Sequence, residues 1–152
     1  MKYRQRHLGR ELALQWLFEI EVGHQAPEQV TANVPQDIEE LETLDEEGVG
    51  FAQQLVRGVR AHQQEIDRVI SKFTKGWPLD RIAAIERNVL RLALYEIMYM
   101  PDVPSSVSAN EAVEIAKHYA SDESGKFVNG ILGAYLRSDE GKKIEKEEHR
   151  HK

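Results

Sequence analysis

Between Val89 and Met100 only Arg91 and Glu96 carry charge. In and just before that stretch, Ile82, Ile85, Val89, Leu92, Leu94, Ile97 and Met98 spread around much of a helical cylinder instead of lining one stripe. A helix apolar on most sides has to be enclosed by others. The segment therefore predicts the central element of a helical bundle, with Asp80 as its N-cap. Pro101 and Pro104 end it and enforce an extended connector.

The rest of the chain supplies helices to enclose it. Proline and glycine punctuate helical lengths, and no segment shows the period-2 alternation of a half-buried strand. A first helix is predicted from about Leu8 to Val22, carrying Leu14, Leu17 and Phe18, ended by Gly23 and led in by a basic segment that projects from it. A short helix is predicted from Gln36 to about Leu44 after Pro35, and a long one from about Glu46 to His62 with the stripe Phe51, Leu55, Val59. Ile66, Val69, Ile70 and Phe73 continue the pattern until Gly76-Trp77-Pro78 breaks it. Ser108 and Glu111 have capping-box spacing for a helix from about Ala109 to Tyr119. A last core helix begins near Asp122 and buries Val128, Ile131, Leu132, Tyr135 and Leu136. The expectation is an all-α, single-domain bundle of about six or seven helices over residues 1–137, with a charged, flexible tail over 138–152.

Composition removes whole classes of function. A chain of 152 residues is long enough for one self-sufficient core. It has no cysteine, which excludes a disulfide framework, a thiolate metal site and a cysteine nucleophile, and suits a reducing cytosol. The basic N-terminus is followed by Glu11, Gln15, Glu19 and Glu21 rather than by a signal-peptide apolar region, and no stretch is apolar enough to span a membrane. A soluble, cytoplasmic protein is expected. The six histidines form no H-E-x-x-H pattern. Gly125-Lys126 lacks the upstream glycine of a phosphate loop, and Gly48-Val49-Gly50 does not follow a strand. With no nucleophile, base and orienting group to assemble, neither catalysis, a metal nor a cofactor is expected.

Charge is segregated along the chain. From Glu28 to Glu47 there are eight acids and no Lys or Arg, so setting that segment aside moves the balance from −6 to +2. Its bland reading is a solvated connector. At the other extreme, Lys2, Arg4, Arg6 and Arg10 all precede the first acid, Glu11. Arg6 and Arg10 are spaced i, i+4, which places them on one helix face with His7 beside them. Arginine forks suit phosphate oxygens and stack on bases, so this end reads either as a solvated terminus or as an anion site that tracks a nucleic-acid backbone.

A second element bears on that choice. Ser121-Asp122-Glu123-Ser124-Gly125-Lys126-Phe127-Val128-Asn129-Gly130 sets a cation beside an aromatic at a helix start, where free backbone N–H groups favour anions. Phe127 lies at the edge of the Val128, Ile131, Leu132, Tyr135 stripe. It reads as core, or as a ring on which a base of single-stranded RNA stacks.

Four blocks make the chain recognisable: Arg10-Glu11-Leu12-Ala13-Leu14-Gln15-Trp16-Leu17-Phe18, Glu86-Arg87-Asn88-Val89-Leu90-Arg91-Leu92-Ala93-Leu94-Tyr95-Glu96, Asn110-Glu111-Ala112-Val113-Glu114-Ile115-Ala116-Lys117 and Lys126-Phe127-Val128-Asn129-Gly130. In order and register, from about residue 4 to 137, they resemble the transcription antitermination factor NusB family. The resemblance implies an all-helical, non-catalytic RNA-binding protein that pairs with NusE, a small-subunit ribosomal protein. The pair binds boxA RNA in nascent ribosomal transcripts and joins the RNA polymerase antitermination complex. Some members self-associate as homodimers. On this resemblance the RNA-binding set is Lys2, Arg4, Arg6, His7, Arg10, Gln15, Glu123, Lys126 and Phe127. Phe18, Glu86 and Arg91 fall at positions of partner contact or core support. The chain departs from the family where consecutive arginines are frequent, having Arg6-His7-Leu8-Gly9-Arg10, and at position 18, where Phe replaces a frequent tyrosine.

Two other functions are compatible with the residues. One is an accessory helical RNA-binding domain acting with an RNA methyltransferase, since similar helical domains precede some ribosomal RNA methylases. The other is a helical interaction module with no RNA role.

Overall fold

The computed structural model describes residues 2–32 and 43–150, with side chains from 3 to 32 and from 43 to 144. Among the described residues the secondary structure is helical, as the sequence predicts: α1 (Lys2–Glu21), α2 (Pro27–Val30), α3 (Glu46–Ala61), α4 (Gln63–Phe73), α5 (Ala84–Tyr99), α6 (Ser105–Tyr119), α7 (Asp122–Arg137) and α8 (Asp139–Arg150), with a 3-10 turn at Leu79–Arg81. The short helix expected from Gln36 falls mostly outside the described residues. The helices group into two compact units, Met1–Ala61 and His62–Lys152.

In the first unit α1 packs along α3, and the contact is close because both helices carry glycine there. A Cβ on Gly9 would lie 2.8 Å from the carbonyl oxygen of Gly48 and 3.0 Å from the Phe51 ring. A Cβ on Gly48 would lie 2.6 Å from the Gln5 side-chain oxygen. Leu8, Leu12, Trp16, Leu55, Val56 and Val59 are all buried, each contributing about 1.5–3 kcal/mol of apolar burial. The basic lead-in does not project as expected, because α1 already begins at Lys2. Gln5 fixes this first turn: its Nε2 donates to the Thr43 carbonyl at 3.0 Å and its Oε1 accepts from the Asp45 N–H at 2.9 Å. Asp45 in turn caps α3, accepting from the N–H groups of Glu47 and Gly48 at 3.0 and 3.2 Å.

In the second unit α5 is the central helix that its composition demands, with every residue from Asn88 to Ile97 buried. α4, α6 and α7 pack against it, and α8 packs on α7. Its start differs from expectation. Asp80 lies in the 3-10 turn and α5 begins only at Ala84, because Arg87 reaches back to occupy the carbonyls of Leu79 and Ile82 at 3.3 and 2.6 Å. α6 also starts earlier than predicted, at Ser105 after Pro104. Ser108 is thus not a cap. It is buried inside the helix and donates to Glu96 Oε1 at 3.0 Å, joining α6 to α5. Residues past Arg137 continue as α8, whose Glu140 accepts from Arg68 of α4 and lies 3.6 Å from Lys72 Nζ.

Candidate nucleic-acid interface

The i, i+4 spacing of Arg6 and Arg10 turns both side chains toward α3. Their guanidinium carbons stand 5.1 and 5.4 Å from the centroid of the Phe51 ring, so two cations share one aromatic platform. The ring's negative quadrupole offsets part of the repulsion between them. The burial is graded: Arg4 is exposed, Arg6 half-buried, and Arg10 only 3% exposed. Arg10 is therefore a packed cation rather than a solvated one. It contributes potential from within the packed helix pair, while Arg6 is half-buried over the ring and Arg4 is the exposed guanidinium of the three. The Lys2 side chain lies outside the described residues.

His7, Glu11 and Gln15 form the adjoining row of α1. His7 Nε2 lies 3.3 Å from Glu11 Oε1, a contact that becomes an ion pair when the imidazole is protonated. Glu11 is buried, and its Oε2 has no hydrogen-bond partner. Gln15 and Phe18 are half-buried further along the helix. Gln5 is the residue that pattern reading overlooks. In a basic run a single glutamine looks like polar filler, yet it is the link between α1 and the start of α3.

The second element sits in the other unit, at the start of α7. Ser121 is an extended N-cap whose Oγ accepts from the Ser124 N–H at 3.1 Å. That bond occupies one of the backbone donors expected to be available for an anion, and Asp122 and Glu123 in the same turn complement the helix dipole. Lys126 and Glu123 are exposed on one strip, continued by exposed Asn129 and Gly130. Phe127 is half-buried, between the extremes of core residue and free ring. Gly125 brings α7 close to α6: a Cβ there would lie 2.6 Å from Lys117 Cγ.

The candidate partner residues divide sharply. Glu86 is half-buried in the first turn of α5. Arg91 is 5% exposed. Its Nε and Nη2 donate to the two carboxylate oxygens of Asp67 on α4 at 2.8 and 3.1 Å, and Nη1 donates to Asn88 at 3.1 Å. It binds α4 to α5. Taken together, the fold gathers Arg4, Arg6, His7, Arg10, Gln15 and Phe18 on one helix of the first unit, and holds Glu86, Arg91, Glu123, Lys126 and Phe127 in the second. Among the described residues no cluster of three His, Cys, Asp or Glu side chains is placed to hold a metal. No described helix is long and apolar enough to cross a membrane.

The chain is similar to known proteins over nearly its whole length. The transcription antitermination protein NusB of Symbiobacterium thermophilum is 42% identical over 140 residues, covering 90% of this chain and 92% of that one. The solved structure of T. maritima NusB superposes with a TM-score of 0.77 at 35% identity, covering 93% and 95% of the two chains. A structure of the antitermination factors NusB and NusE in complex with double-stranded RNA superposes with a TM-score of 0.74 at 28% identity, covering 95% and 98%. The NusB family model matches residues 7–137, a span that takes in the Arg10–Phe51 contact, the Arg91–Asp67 pair and the Lys126-Phe127 turn, and the chain belongs to the NusB family.

Proposed function

We propose that this protein is a transcription antitermination factor that binds boxA-type single-stranded RNA together with a NusE-type ribosomal protein. The observation that carries the reading is the pair of arginines stacked on Phe51 beside an exposed Arg4, which makes the start of α1 a preformed phosphate-attracting surface in an otherwise acidic chain. Lys126 and half-buried Phe127 offer a cation and a partly accessible ring for a base. The protein acts without catalysis, in the cytoplasm where nascent transcripts are made, and passes its RNA to the polymerase antitermination complex. Phe18 and Glu86 are the proposed contacts for the ribosomal protein. Within the second unit, Arg91 supports the helix that carries Glu86 by holding α4 and α5 together.

Gel-shift titration of the protein, with and without NusE, against boxA RNA and a scrambled RNA of equal length tests this. The mixture is expected to bind boxA more tightly than the scrambled RNA, and more tightly than the protein does alone. Equal affinity for both RNAs would reject the sequence-specific claim.

A further inference from the structure

The chain has two tryptophans, and they are placed oppositely. Trp16 is fully buried, whereas Trp77 is 62% exposed. Trp77 stands in a tight turn between α4 and the 3-10 turn. Its backbone N–H donates to the Thr74 carbonyl at 3.3 Å, and the single proton of the Thr74 hydroxyl is shared between the Trp77 carbonyl at 3.2 Å and that of Ser71 at 3.3 Å. The two central residues, Lys75 and Gly76, have φ of 49° and 89°. Glycine takes that conformation freely but lysine does not, so a disfavoured lysine has been placed at the tip. Thr74 is buried and anchors the turn from below. The ring is thus held out in solvent above a hydrogen-bonded turn.

Its surroundings are cationic. Residues 72–81 hold Lys72, Lys75 and Arg81 against the single acid Asp80, in a chain whose net charge is −6. Lys72 is engaged by Glu140 and the Phe73 ring, while Lys75 and Arg81 are exposed. Among the described residues the exposed large apolar side chains are Tyr3, Val22 and Trp77, so within its own unit the ring stands alone. Beside the ring Pro78 is exposed and Phe73 and Leu79 are half-buried, a small apolar strip interrupted by exposed Lys75, Asp80 and Arg81, unlike the contiguous apolar core of a protein-docking patch. An isolated ring between cations is instead what a stacked base and its flanking phosphates require.

We propose that the Trp77 turn is a second single-stranded RNA contact, with Trp77 stacking one base while Lys75 and Arg81 take the adjoining phosphates. The assignment rests on the reading of the protein as an RNA binder, and extends it to a surface outside the N-terminal arginines and the Lys126-Phe127 turn. The test is fluorescence titration of the full chain with a uridine oligoribonucleotide, in which exposed Trp77 reports while buried Trp16 does not. RNA is expected to quench the emission. Trp77→Ala is expected to abolish that quenching and weaken binding between about fivefold and a hundredfold, the range that one stacked base supplies. Trp77→Phe, which keeps a ring, is expected to retain most of the affinity. Replacing Lys75 and Arg81 by alanine should lower the slope of log affinity against log salt by about 1.4, two single-strand phosphate contacts. RNA binding unchanged by Trp77→Ala would overturn this assignment and leave the RNA-binding reading standing. No RNA binding by the unmodified chain would overturn both. Quenching by a partner protein but not by RNA would make Trp77 a protein anchor and reject the proposal.

Discussion

Arg91 and Asp67 meet fork to fork, with parallel hydrogen bonds of 2.8 and 3.1 Å, and this pair joins α4 to the central helix of its unit. The arginine side chain is 7% exposed and the aspartate 19%, so neither charge is well hydrated. Removing one partner strands the other. Asp67→Ala is expected to destabilise the protein by about 3 kcal/mol, whereas a joint Asp67→Leu, Arg91→Met replacement should recover much of the loss. Urea unfolding of the wild type and both variants measures this, and equal losses in the two variants would contradict it.

The glycines of the first unit make opposite predictions. Gly9→Ala sets a methyl group 2.8 Å from a backbone oxygen of α3, which only a shift of the helices relieves. A loss of about 1–3 kcal/mol is expected. Gly50, two residues past Gly48 and so on the opposite side of α3, has only open space within 4 Å of where the added methyl would stand, and Gly50→Ala should gain about 0.5–1 kcal/mol through helix propensity alone. Thermal unfolding that moves both variants the same way would refute the close-approach account of Gly9.

Phe51→Leu keeps the apolar volume beneath Arg6 and Arg10 and removes the ring face both guanidinium groups use. The Arg6 contact is worth about 0.5–1 kcal/mol at its partly exposed site, so RNA affinity should fall by about two- to fivefold. Arg4→Ala should act differently, lowering the salt slope by about 0.7 as one phosphate contact is lost. Anisotropy titrations at several salt concentrations separate the two effects.

Tyr135 is fully buried against the edge of Phe73, ring centroids 5.8 Å apart, and its hydroxyl has no hydrogen-bond partner. Burial, followed by the negative charge of Glu140, pushes its pKa up to about 12 from 10.0. A raised pKa in the folded state favours the protonated phenol there. Its contribution to stability is therefore intact below about pH 10 and is lost as pH climbs toward about 12. Tyr135→Phe removes an unsatisfied hydroxyl and should be neutral to about 1 kcal/mol stabilising at neutral pH. Its advantage should widen above about pH 10. Unfolding midpoints of both proteins from about pH 7 to about 11.5 test the sign.

Much of the helical frame is legible in residue order. The low charge of Val89–Met100 announces the buried central helix, the Phe51, Leu55, Val59 stripe marks α3, and the Asp122 neighbourhood marks the start of α7. What escapes sequence reading are polar side chains whose partners lie far along the chain. Ser108 and Glu111 have the spacing of a capping box, but the hydroxyl is taken by Glu96, 12 residues away, and the helix starts a turn earlier. Asp80 is a fair cap by type, yet it lies in the 3-10 turn, where Leu79 accepts from the Ile82 N–H and Arg87 occupies the Ile82 carbonyl. Gln5 carries no sequence signal at all, since its partners lie 38 and 40 residues on.

The same division holds for the proposed RNA-binding residues of each unit. Sequence by itself determined that Arg6 and Arg10 share a helix face, because about 3.6 residues per turn leaves no other outcome. It also placed Lys126 and Phe127 side by side at the start of a helix. That Phe51 comes beneath the two arginines, that Gly9 is where α1 meets α3, and that Arg10 is a packed cation rather than a free one all follow from the packing of α1 on α3. The physical reason is range. Helical periodicity and local capping act over a few residues and are written in the order of the chain, while burial and pairing depend on which surfaces the folded helices bring into contact.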